Sequence, residues 1–212
     1  MLRPIATPFP VGLGALATAS LLASGLELGW FANRDTPTVA VALIAFCFPL
    51  QFLASIFGFL GRDTAAATSF GIQAGAWLVI GVSLLLSPPG RLSPPLGVLL
   101  LAAAVWVALA AGGAAGAKLV PALVLFAVAV RFLLTGLYEL GLGVGVEDAG
   151  AIVGLAVALS AAYAALALEL ENARRHTVLP LLRRNRGLEA MEAGLAVQNA
   201  DVAHEAGTRE QL

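Results

Sequence analysis

Apolar residues fall along this chain in long unbroken blocks, not at the spacing of a two-faced helix or strand. No charged side chain interrupts residues 4–26, 36–61, 64–90, 92–117 or 149–168, and a sixth block, 119–138, is broken only by Arg131. About 20 mostly apolar residues carry a helix across the hydrocarbon core of a bilayer. Trimmed at their proline and glycine punctuation, the blocks predict spans over 11–28, 38–60, 64–86, 95–113, 119–140 and 149–171. Membrane strands would alternate apolar and polar residues; Leu99-Leu100-Leu101-Ala102-Ala103-Ala104-Val105 does not. The expected fold class is all-α, a polytopic membrane protein with six transmembrane helices. Met1-Leu2-Arg3 and the run behind it also outline a signal peptide cleaved near Ala19-Ser20 or Ala23-Ser24. Pro4, Pro8 and Pro10 ahead of the run, and the lack of a soluble stretch behind it, favour a retained first span.

Composition agrees with this pattern. Of 212 residues 59% are hydrophobic and only 25 carry a charge, 11 of them after Glu171. The first 171 residues hold 14 charges, about 8% against roughly 25% in a soluble domain. Mean hydropathy is +0.91. A soluble enzyme, a nucleic-acid binder and a disordered chain are excluded together. The single cysteine, Cys47, rules out a disulfide framework, and His176 and His204 lie in or near the polar tail. No metal, haem or other cofactor is expected. Neither Gly-x-Ser-x-Gly nor His-Glu-x-x-His occurs, so catalysis has no visible equipment. One membrane domain over 1–180 and a cytoplasmic tail over 181–212 are predicted.

Basic residues set the orientation. Six spans place both termini on one side, and that side collects Arg3, Arg62, Lys118, Arg174, Arg175, Arg183, Arg184 and Arg186, against Arg34 and Arg91 on the other. Both termini are therefore expected in the cytoplasm. The Arg183-Arg184-Arg186 patch reads as a topology signal or as a contact for anionic lipid head groups. Beyond it, 188–205 forms a short helix or stays disordered.

Polar groups inside a bilayer need a partner or a wet cavity. Arg131, near the middle of the fifth span, is the most costly. Glu139 and Tyr138 stand about two turns away on its own helix, too far for a direct bond, and Glu27 or Glu169 on a neighbouring helix or subunit is the alternative partner. Arg131 either holds an anionic substrate or serves as a pairing residue. Gln51 and Gln73, neutral amides at membrane depth, suit a conduction path or an interhelical hydrogen bond. Pro8 and Pro10 are expected to break the backbone ahead of the first span and leave amides free for an anion. Gly71/Gly75 and Gly112/Gly116 form GxxxG pairs that let helices approach closely, within a protomer or between copies. Trp30 reads as an interface anchor.

Several segments together resemble the acetate uptake transporter (succinate–acetate permease) family. Thr7-Pro8-Phe9-Pro10-Val11-Gly12-Leu13 is similar to its Asn-Pro-x-Pro-Leu-Gly-Leu signature. Asp63-Thr64 through Thr68, Phe70 and Trp77 resemble the stretch opening its third span, and Gln51 falls at its second-span glutamine. Gly116-Ala117-Lys118 resembles its basic corner after span four. Tyr163-Ala164-Ala165 leading to His176-Thr177-Val178-Leu179-Pro180 resembles the end of its sixth span. The likeness covers residues 7–180.

The resemblance implies a six-helix protomer with cytoplasmic termini in a homohexameric ring in the cell membrane, the bacterial inner (plasma) membrane. It implies a channel or permease for acetate and other short monocarboxylates, succinate included. Thr7, Pro8, Pro10, Gly12, Leu16, Gln51, Phe70, Gln73, Trp77 and Tyr163 are the expected pathway residues. Leu16 and Gln73 stand where the family narrows between an aromatic residue and a tyrosine, so the constriction is expected to be less aromatic and more polar. The expected partners are a small organic acid, membrane lipid and further copies of the chain, with no nucleic acid. A urea or short-amide channel and a non-conducting membrane subunit of a larger complex are the rival readings.

Overall fold

A computed structural model describes residues 6–88, 90–185 and 187–189. Six helices are long and apolar enough to cross a membrane: α1 (Phe9–Glu27), α2 (Asn33–Leu60), α3 (Thr64–Leu86), α4 (Pro94–Ala115), α5 (Leu119–Glu139) and α6 (Val144–Arg174). They are the six spans expected from the apolar blocks, with shifted ends. α1 begins at Phe9 rather than 11, and α6 begins at Val144 rather than 149. The expected helix over 188–205 falls almost wholly outside the described residues, as do residues 1–5 and Arg186.

Prolines open several of these helices. Pro8 is the N-cap of α1 and Pro10 lies in its first turn, where a missing N–H removes no intrahelical bond. Pro8 and Pro10 therefore start the first span instead of breaking the chain ahead of it. At the other end, α1 stops in a Schellman turn: Gly29, at φ +71°, donates to Leu26 O, and Trp30 N donates to Gly25 O. α2 is irregular. A 3₁₀ turn at Asn33–Asp35 leads into an α-helical stretch, a π-helical turn at Leu43–Cys47, and α-helix again from Phe48 to Leu60. Phe48 N donates to Leu43 O, five residues back. The cause is Pro49, which lacks an N–H and whose ring would strike the carbonyl four residues before it, so the turn widens.

Each helix packs on its neighbours in sequence, and α1 closes the circle against α6, making a ring of six. α4 with α5 and α1 with α6 are the most extensive pairings. Small residues decide how closely the helices meet. A Cβ at Gly97 would lie 2.9 Å from Gly136 O, and one at Gly136 would lie 2.9 Å from Gly97 O. Gly58 stands similarly against the backbone of Ala67. Of the GxxxG pairs, Gly71 meets Ser55, while Gly75, Gly112 and Gly116 face open space in the protomer. Leu13, Leu16, Phe70, Trp77, Leu100 and Phe132 fill the interior, and Phe59, Val98, Leu109, Phe126 and Leu159 point outward.

The segment after α6 returns to the bundle. Arg183 pairs with Lys118 in an isolated antiparallel bridge, Leu119 N and Val120 N donate to Leu182 O and Leu181 O, and Arg184 N donates to Ala117 O. Leu181 is buried. Arg183 forms a salt bridge with Glu171, which also accepts from Thr177 Oγ1. Residues 181–185, assigned by composition to the tail, thus form a strap over the α4–α5 corner.

The mutual approach of Gly97 and Gly136 is open to test. Gly136→Leu should cost about 1–3 kcal/mol by overpacking and lower the unfolding temperature in detergent, whereas Gly112→Leu, in open space, should not.

Candidate conduction path

Toward the Lys118 end of the ring, three helices bring polar groups together. Gln51, one turn past the π-helical turn of α2, points its Nε2 at Gly12 O of α1, 3.4 Å away, and at Gln73 Oε1 of α3, 3.3 Å away. Both bonds are longer than the usual range of about 2.7–3.2 Å, so the amides are loosely tied. Gly12 lets the Phe70 ring lie on α1, since a Cβ there would come 2.6 Å from its edge. Phe9 meets the same ring edge-on at 5.6 Å, and Lys118 Nζ lies 5.0 Å from the Phe9 ring centroid.

The structure groups some of the expected pathway residues and separates others. Gly12, Gln51, Phe70 and Gln73 are buried and linked through Gly12 and Gln51, and Leu16 is buried one turn further along α1. Trp77, one turn past Gln73, is buried edge-on against Phe132, 5.6 Å between centroids. Pro8 is buried and Pro10 half-buried at the helix start, while Thr7 is exposed. Tyr163 stands apart: it is 38% exposed, and its hydroxyl donates to Pro180 O at 3.0 Å, where it steadies the turn after α6.

Buried polar atoms are nearly always hydrogen-bonded. Among the described residues, Ser20 Oγ, Ser24 Oγ, Gln51 Oε1, Gln73 Nε2 and Trp77 Nε1 find no partner in the protomer. They lie on the inner faces of α1, α2 and α3. An unpartnered amide or hydroxyl in a bilayer is costly unless water or a solute reaches it. The interior therefore holds neutral donors and acceptors set among apolar side chains.

At the opposite end lies a charged pair. Arg131 Nη1 donates to Glu27 Oε2 at 2.6 Å and Nη2 to Glu27 Oε1 at 2.8 Å, a two-pronged bond from α5 to α1. Of the partners weighed for Arg131, Glu27 is the one found. Glu139 instead accepts from Ser93 N at 2.6 Å, joining α5 to the start of α4. A cavity of about 250 Å³ opens above the pair, lined by Glu27, Asn33, Arg91, Tyr138, Glu139 and Glu147 among others.

Sequence reasoning passes over Ser20 and Ser24, the π-helical turn and the Arg183–Glu171 bridge. The serines, spaced four apart on α1, were legible as one polar stripe in an apolar block. Pro49 in mid-span was the signal for the distorted turn. Nothing in the sequence pairs Arg183 with Glu171, because the chain must first turn back on itself.

These features define a six-span helical membrane protein with unpartnered polar groups buried inside its bundle. No protein-family model and no curated protein matches the chain. Among solved structures, the bacterial acetate channel SatP is similar to it, with a TM-score of 0.74 at 23% identity over 84% of this chain and 99% of that one. The shared property is the fold, which is the architecture that the sequence resemblance implies.

Removing one partner of a buried pair leaves the other charge uncompensated, at about 3–5 kcal/mol. Glu27→Ala should accordingly lower the unfolding temperature in detergent sharply. Glu27→Gln combined with Arg131→Gln, which removes both charges, should recover most of the loss.

Proposed function

We propose that this chain is a membrane channel of the acetate uptake type, passing small monocarboxylates such as acetate. The observation that supports conduction is the set of unpartnered buried polar atoms, Gln51 Oε1, Gln73 Nε2, Trp77 Nε1 and the two serine hydroxyls. The substrate class comes from the fold shared with an acetate channel and from the sequence resemblance over residues 7–180. Neutral amides donate to a carboxylate without trapping it, and the apolar walls exclude hydrated ions. Leu16 and Gln73, in place of two rings, leave a constriction suited to acetate and to slightly larger or more polar acids, succinate among them. The chain acts as a conduit, not an enzyme.

The reading extends to assembly and placement. Six copies form a ring in the bacterial plasma membrane, their outward apolar faces meeting lipid and one another. The basic residues at the Lys118 end put that end, and both termini, in the cytoplasm. Residues beyond the strap form a cytoplasmic tail.

Two measurements test these statements. Liposomes carrying the purified chain should take up labelled acetate, and Gln73→Leu should slow uptake. Losing a hydrogen bond to a charged group, about 1.5–3 kcal/mol, corresponds to about tenfold or more in rate. Uptake of urea but not acetate would favour the amide-channel reading instead. Native mass spectrometry in mild detergent should show a hexamer; a monodisperse monomer would refute the ring.

A further inference from the structure

Glu27 stands between the cavity and Arg131. Glu27 lines the cavity and its side chain is 18% exposed, while Arg131 behind it is 3% exposed. The guanidinium sits in a recess that α6 leaves open. A Cβ at Gly154 would come 3.0 Å from Arg131 Nε, and one at Gly150 would come 3.4 Å from Nη1. Ser24 borders the same recess beside Gly154, with its buried hydroxyl unpartnered. A planar guanidinium with two parallel donors aimed at one acid group is a receptor for carboxylates. The group now occupying it is itself an alkyl carboxylate.

Resting on the carboxylate-channel reading above, we propose that Arg131 is the binding site for the permeating carboxylate, and that Glu27 is a built-in competitor occupying it between passages. A lone fixed arginine would hold an anion too long for conduction. Glu27 turns binding into exchange: an arriving carboxylate takes the two donors as Glu27 leaves, and the return of Glu27 expels it. The charge on the recess is the same before and after. Two features keep the grip of Glu27 weak enough to yield. It is the last residue of α1, where the negative end of the helix dipole disfavours a carboxylate. Arg91 lines the same cavity and supplies a counter-charge for the displaced side chain. Glu139 and Glu147 on the cavity wall repel that displaced carboxylate and return it to Arg131.

The test uses labelled acetate with the full chain in liposomes. Glu27→Gln removes the competitor's charge at constant size. Freeing a site that is otherwise occupied raises apparent affinity by the inverse of its free fraction, so the half-saturating acetate concentration should fall about tenfold or more, with a slower maximal rate. Glu27→Gln together with Arg131→Gln, a neutral pair able to bond amide to amide, should lose saturation over the range where the wild type saturates. An unchanged half-saturating concentration in Glu27→Gln, or wild-type saturation in the double variant, overturns the inference. Should Glu27→Gln fail to fold, the double variant decides alone. Absence of acetate uptake by the wild type would refute the channel reading instead. In that event, acetate line broadening by NMR with solubilised wild-type and double-variant protein decides the site, and equal broadening overturns it.

Discussion

A charge surrounded by hydrocarbon has to be neutralised from within the bundle, and the Arg131–Glu27 bond meets that demand across two helices far apart in sequence. It ties the end of α1 to the middle of α5, and α6 presents Gly154 where a Cβ would come 3.0 Å from Arg131 Nε. Three helices are placed by one interaction. The Schellman turn after Glu27 belongs to the same arrangement, because it ends α1 where its carboxylate reaches Arg131. Removing Glu27 leaves the buried guanidinium an uncompensated charge.

The rest of the ring is held by close approach. Lipid tails are as apolar as leucine, so helices in a bilayer associate through packing and interhelical hydrogen bonds. Gly97 against Gly136 and Gly58 against Ala67 supply the first. Gln51 to Gln73 and Ser55 Oγ to Ala67 O, at 2.7 Å, supply the second. The Gln51–Gln73 tie is long and leaves one end of each amide unpartnered, unlike the short Ser55 bond, and this difference separates a polar group suited to passing a solute from one used to join helices. The strap at the Lys118 corner works through the same economy of polar groups: Glu171 is satisfied by Arg183 and Thr177, while the strap backbone bonds to Ala117, Leu119 and Val120.

Much of the fold was legible because a bilayer imposes a length and an apolar content on each span. The blocks around Leu99–Val105 and Ala149–Leu168 could be nothing but helices. Ends were less legible: Pro8 and Pro10 look like breakers until the helix is seen to start on them. At the site, Gln51 and Gln73 stood out as isolated amides, and Arg131 as an isolated charge. Ser20 and Ser24 were legible as a stripe but not as unpartnered groups, since a hydroxyl within an apolar helix normally bonds its own backbone, as Ser160 does to Ala156 O at 2.7 Å.

By itself, then, the sequence determined the number of spans, their helical nature and the residues too polar to face lipid, because each follows from the local cost of placing a group in hydrocarbon. Tertiary structure decided which polar groups satisfy one another. It chose Glu27 over Glu169 for Arg131, made Gly97 and Gly136 a contact while Gly112 and Gly116 stayed open, and returned Arg183 to Glu171. Those outcomes depend on how helices rotate and tilt against each other, and an apolar block that reads alike on every side carries no record of its rotation.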